Sequence, residues 1–328
     1  MRERGELRLA AARLDADKPH RWKADIAASV DLFNEWFLAF APKAYRETRL
    51  ETTKQVEEGL LLTHDLTAIT PEVLKGYPRI LPILRMAMCP PLARDRLVGL
   101  AGASKSLVLA MESGRMAGRM PAIALNENLD RVCGTLRKML DVDIFPWLEG
   151  KRAASTDERY RASTIVADRL CGAVSDPIVR NAQEKRQLAL IGNYLEKNGY
   201  QQKPHSASEP LRDMTPGTYA FRMVVVAGEP HRVNIPVDVV IQPKKLSADR
   251  IPVLIEAKSA GDFTNVNKRR KEEATKIRQI RGTYGKKARF VLFLCGYFDS
   301  GYLGYEAAEG IDWIWEHRIE DLEKLGLR

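Results

Sequence analysis

The chain has 328 residues, enough for one large domain or two ordinary ones with buried cores. Hydrophobic residues at 45% and charged residues at 29% exclude a wholly disordered chain. The net charge of +9 has two readings, plain solubility or a polyanionic partner, and the position of the charge decides between them.

The opening stretch, MRERGELRLAAARLDADKPH, mixes charges throughout and lacks the apolar core of a signal peptide. No segment approaches the roughly 18 uninterrupted apolar residues of a membrane span. The expectation is a soluble, cytoplasmic protein. Ile26, Val30, Phe33 and Phe37 then recur at three- and four-residue steps and predict an amphipathic helix within residues 25–62. Thr70-Pro71 reads as a helix cap followed by a first-turn proline.

Residues 99–109, GLAGASKSLVL, imitate a phosphate-binding loop. Ser104 stands where the second glycine is required, and the flank ARDRLV reads as helix where a strand is needed. A helix contact made by small residues is the better reading. Ser155 and Glu158 have capping-box spacing and open a helical pattern through Ile165, Val166, Leu170 and Val174. Residues 1–180 are thus expected to form a helical region, with no internal repeat.

The pattern changes near residue 200. Leu188, Ile191 and Leu195 form a helical stripe stopped by Asn198-Gly199. Residues 218–228, 231–242 and 251–259 are rich in β-branched and aromatic residues and read as strands. A helix over 265–285 and an apolar strand over 288–298 follow. A short helix, the strand IDWIWEH (311–317) and a closing helix (319–326) finish the chain. This order predicts an α/β fold over 181–328, a mixed β-sheet flanked by helices.

Four cysteines lie far apart with no CxxC pair, and five histidines show no ligand spacing, so zinc and disulfide frameworks are not expected. No Gly-x-Ser-x-Gly elbow is present. The informative stretch is PVLIEAKSAGDFTNVNKRRKEEATK, residues 252–276. Along a strand, Leu254, Glu256 and Lys258 share one face. In the preceding strand Val237, Val239 and Ile241 are expected on one face with Asp238 opposite, which brings Asp238, Glu256 and Lys258 to one edge of the sheet. Burying such charges on apolar strands is costly unless something pairs them. Two carboxylates and one ammonium leave a negative pocket that suits a hard divalent ion such as Mg²⁺. From Lys258 to Arg289 there are eleven basic and three acidic residues, nearly the whole excess of the chain. Asn265, Asn267, Lys268, Arg269, Arg270 and Lys271 are the candidate contacts to a polyanionic partner. A solvated helix face, a cap from the asparagines and an ion pair from Arg270 to Glu273 are the plainer alternatives. Glu184 shares the stripe of Leu188; it either faces the site or serves as a cap or solvated charge.

Pro236-Val237-Asp238 followed by Glu256-Ala257-Lys258 resembles the PD-(D/E)XK nuclease core, with Val237 interrupting the literal Pro-Asp pair. Most of the chain resembles the XamI-type type II restriction endonucleases, most specifically through SVDLFNEWFLAFAPKAYRETR and EAKSAGDFTNVNKRRKEEATK. The resemblance implies a Mg²⁺-dependent enzyme that cuts both strands of duplex DNA at a short palindrome, GTCGAC for the namesake. It also implies a cognate DNA methyltransferase as functional partner. Asp238, Glu256 and the backbone carbonyl of Ala257 would then ligate the metal, and Lys258 would orient or deprotonate the attacking water. A palindrome presents the same bases twice while this chain carries one such set, so a homodimer is expected. On this reading the helical region serves recognition or dimerisation. The rival readings are a structure-specific repair nuclease and a non-cleaving DNA-binding protein; the intact Asp238, Glu256 and Lys258 speak against the second.

Overall fold

The computed structural model describes residues 13–206, 209–228, 232–247, 249–263 and 270–328. The chain forms two compact units: Phe40–Val179, and the chain up to Ala39 together with Arg180–Arg328. Residues 13–39 therefore group with the C-terminal half, although the sequence places them in the helical region expected over 1–180. The contacts give the reason. The Asp312 carboxylate accepts from the backbone N–H groups of Leu14, Asp15 and Ala16. Ser29 Oγ accepts from Gly296 N at 2.7 Å, and Trp22 packs on Trp313 with ring centroids 5.5 Å apart.

The helical unit is built from α2 (Pro71–Gly76), α3 (Leu81–Met86), α4 (Arg94–Ala101), α5 (Lys105–Glu112), α6 (Ala122–Lys138) and α7 (Pro146–Glu149), with parts of α1 (Pro19–Leu62) and α8 (Thr156–Lys197). Its core includes Leu74, Leu84, Leu97, Leu107, Leu129, Val132, Phe145 and Trp147, all buried. The expected caps are present: Thr70 Oγ1 accepts from Val73 N, and Ser155 and Glu158 exchange bonds of 2.9 and 3.2 Å. The phosphate-loop imitation is a helix start. Ser104 spends its N–H on Asn128 Oδ1 at 2.7 Å, and α4, not a strand, precedes it.

The helical stretches read at 155–174 and 184–197 are one element, α8, which passes through Pro177. The closing helix is a 3-10 stretch, Glu316–Leu325, kinked at Arg318.

The other unit is a six-stranded mixed sheet in the order β1 (Gln201–Gln202), β2 (Thr218–Ala227), β3 (Val233–Gln242), β4 (Val253–Ala260), β5 (Phe290–Gly296) and β6 (Asp312–Trp315). β2, β3 and β4 are antiparallel neighbours; β4, β5 and β6 run parallel. On one face α9 (Arg270–Tyr284) and α10 (Ser300–Ala308) bury Ile277, Ile280, Tyr302 and Leu303 against Leu254, Leu292 and Leu294. On the other, Leu188, Ile191 and Leu195 of α8 pack with Val239, Ile255, Val291 and Phe293. Strands buried on both faces read as continuous apolar runs, which is why β5 has no polar alternation.

The simple alternation expected for β3 fails at Asp238. Ile235 and Val237 pack in the α9 layer with Val240, whereas Val239 and Ile241 pack in the α8 layer. β2 changes face at the same level: Tyr219 lies in the α8 layer, and Met223 and Val225 lie in the α9 layer. Between the pairs Phe221↔Val239 and Met223↔Val237 sits Arg222, with φ of 50°. One residue in the left-handed region rotates the hairpin locally, a costly conformation away from glycine. It sets Asp238 at the turn of the strand. β5 ends in a glycine for a related reason. Gly296 has φ of 99°, and a Cβ there would lie 2.1 Å from Ala260 O.

Candidate active site

The site is centred on β4 where it passes the turn in β3. Ala257 N donates to Asp238 Oδ2 at 2.8 Å, which fixes the half-buried carboxylate beside the strand that carries Glu256 and Lys258. The structure thus brings together the three residues that the sequence singled out. Lys258 Nζ lies 3.3 Å from Glu256 Oε1. Gln187 of α8 reaches over the sheet and donates to the backbone carbonyls of Lys258 and Phe293, both at 3.4 Å.

Two further residues come from α9, and the sequence reading missed them as parts of the site. Glu273 is buried, with a side chain 1% exposed, and lies 2.7 Å from Lys258 Nζ. Lys276 Nζ donates to Glu256 Oε1 at 2.6 Å and to Pro236 O at 3.3 Å. The signal for Glu273 was present. It precedes Ile277 and Ile280 by four and seven residues, so it falls on the buried stripe of its own helix. Its partner among the described residues is Lys258; the Arg270 side chain, considered as a partner from sequence, lies outside them.

Glu184 lies at the margin. Its carboxylate pairs with Arg222 at 2.8 Å, and its charge is the smallest of the influences that shift Asp238. Asn265, Asn267, Lys268 and Arg269 lie outside the described residues, and the side chains of Arg270 and Lys271 lie outside them as well.

The electrostatics follow from burial and crowding. Burial first, and then the neighbouring Glu256, push the Asp238 carboxyl up to about 6. For Lys258 burial alone favours the neutral amine, but Glu256 and Glu273 outweigh it and hold the pKa above the ordinary lysine value. Lys258 is therefore an ammonium in the free enzyme, a charged donor fixed between two carboxylates. Among the described residues Glu256 Oε2 is buried without a hydrogen-bond partner, an oxygen left for a further cation.

Among the described residues no group of three or more His, Cys, Asp or Glu side chains is arranged to hold a metal ion. Asp238 and Glu256 supply two carboxylates. In a strand a residue's N–H and C=O point to the same neighbour, so the Ala257 carbonyl lies on the side from which its N–H meets Asp238. Two carboxylates and a carbonyl are a hard-oxygen set. They fit Mg²⁺, which takes one or two carboxylates and completes its shell with water and phosphate.

Residues 64–315 match the profile of the XamI restriction endonuclease family. The type II restriction enzyme SalI of Streptomyces albus G is 57% identical over 313 residues, covering 95% of this chain and 99% of that one. These two likenesses define a site-specific deoxyribonuclease. The chain belongs to the XamI restriction endonuclease family. Among solved structures, protein VC1899 of Vibrio cholerae is 12% identical over 83% of this chain. The match spans 56% of that protein with a TM-score of 0.28, a level that establishes no shared fold. The four cysteines are free, and no helix among the described residues is long and apolar enough to cross a membrane.

Proposed function

We propose that the protein is a Mg²⁺-dependent type II endonuclease that cuts both DNA strands at a short palindrome, GTCGAC or a close variant, on a PD-(D/E)XK core. The observation that carries the reading is the convergence of Asp238, Glu256 and Lys258, joined through the Ala257 N–H, at one point of the sheet. Asp238, Glu256 and the Ala257 carbonyl would hold the metal, which lowers the pKa of bound water and offsets charge on the phosphate. Lys258, kept charged by Glu273, donates to the attacking water or to a phosphate oxygen. Glu184 acts through Arg222, which lies between Phe221 and Met223, the partners of Val239 and Val237 on either side of Asp238. The enzyme acts as a homodimer in the cytoplasm, beside a methyltransferase that protects the same site, and the helical region contributes to recognition or to the dimer interface.

The test is digestion of a plasmid with a single GTCGAC. One linear product is expected with Mg²⁺ and none in EDTA. Full cleavage in EDTA, or cutting set by DNA shape regardless of sequence, would sink this reading.

The basic run is assigned to phosphates along the same duplex. Replacing Lys268, Arg269 and Lys271 together by alanine should weaken binding to all duplexes alike. The log–log salt dependence should become shallower by about one unit for each lost contact. An unchanged slope would return these residues to solvent.

A further inference from the structure

The two ammoniums of the site are bound in different ways. Lys258 has a carboxylate of its own: Glu273, buried and 2.7 Å away, neutralises it whatever happens to Glu256. Lys276 has no such reserve. Among the described residues the carboxylate that it reaches is Glu256, at 2.6 Å, and its other partner is the neutral carbonyl of Pro236. Among the described residues, therefore, Glu256 Oε1 serves two ammoniums while Oε2 serves none. Any cation that takes Glu256 as a ligand meets the charge of Lys276 on the same carboxylate.

Resting on the metal reading above, we propose that Lys276 is a surrogate for the divalent ion. In the free enzyme its ammonium occupies Glu256 and opposes metal binding. When DNA is seated, a phosphate oxygen takes the ammonium, and Glu256 is released to the metal. Metal binding is thereby made conditional on DNA, and by linkage DNA binding is strengthened by the metal to the same degree. The charge count supports the sign. Asp238, Glu256 and Glu273 carry three negative charges against two ammoniums, so losing Lys276 deepens the negative potential that a divalent ion meets. The reach supports the exchange. Lys276 projects from α9 with its side chain 23% exposed, more open than that of Lys258 at 15%, and a long flexible stem carries its charge.

Calorimetric titration with Ca²⁺ tests this, with and without a saturating GTCGAC duplex. Without DNA, Lys276→Met should bind Ca²⁺ roughly tenfold tighter than wild type, a coupling of ordinary allosteric size. Lys276→Arg, which keeps the cation, should match wild type, and the advantage of the methionine variant should vanish on the duplex. If Lys276→Met does not fold, Lys276→Gln, also neutral, takes its place. Equal Ca²⁺ affinities for wild type and neutral variant without DNA overturn the proposal, as does a failure of both to bind at all. Asp238→Asn separates this failure from that of the metal reading. If Asp238→Asn leaves Ca²⁺ binding intact, the metal site itself is misplaced and the role of Lys276 goes with it.

Discussion

Asp238→Asn is expected to cut no DNA and yet to melt at a higher temperature than the wild-type enzyme. Folding carries the Asp238 carboxyl from 3.8 to about 6, through burial and the nearby Glu256. At ~1.36 kcal/mol per pKa unit this opposes folding by about 3 kcal/mol at neutral pH. Solvent reaching a half-buried carboxylate screens part of that, leaving about 2 kcal/mol. For a carboxyl whose pKa rises on folding, the penalty is full above about 6 and fades as pH falls toward 3.8. The asparagine keeps an oxygen to accept from Ala257 N and carries no charge. Melted in EDTA at pH 7.5, the variant should gain about 4–8 °C; near pH 4 the two proteins should converge. Cleavage should fall by more than the roughly 10–100-fold that follows loss of an outer partner at a metal site. A variant that still cuts, or that melts below wild type at pH 7.5, would reject the placement of Asp238 as a strained, metal-facing carboxylate.

The strands of the sheet were legible because their residues face apolar layers on both sides, so β2 to β5 carry runs of Val, Ile, Leu and Phe and β6 reads Trp-Ile-Trp. The charged ends of two such runs marked Asp238, Glu256 and Lys258, because burial of charge is expensive enough to need a reason. The change of face at Asp238 was hidden. It depends on the left-handed conformation of Arg222 across the ladder, and an arginine announces no such backbone. Pro177 obscured α8, whose stripe continues on either side of it. Residues 13–39 read as part of a helical region. Nothing local in that segment records its long-range bonds to Asp312 and Gly296. Glu273 and Lys276 were missed for a subtler reason. Glu273 reads as a partner for Arg270 of its own helix and Lys276 as one charge of a basic run, because nothing in that segment names the partner across the sheet, Lys258 or Glu256.

Removing Lys258 separates structure from chemistry and then reports on assembly. Lys258→Ala leaves Glu273 buried and Glu256 crowded without their shared cation, which should destabilise the fold by about 3–5 kcal/mol. Adding Glu273→Gln removes the stranded charge, so the double variant should recover most of that stability. Cleavage should not recover. The donor to the attacking water or phosphate is gone in both, and the rate should stay roughly 10²–10⁴-fold below wild type. Recovery of cutting in the double variant would make Lys258 a mere counterion for Glu273. The double variant is also a folded, metal-competent subunit that cannot cut. A palindrome is bound two-fold symmetrically, and each copy of the chain carries one Asp238–Glu256–Lys258 set, so a mixed dimer holds one working site. Co-expressed with wild type and purified as the heterodimer, it should convert a plasmid carrying one GTCGAC to nicked circles with little linear product. If the mixture yields only linear DNA, and sedimentation finds one chain per duplex, the two strands are cut by successive visits of a single subunit and the dimer is wrong.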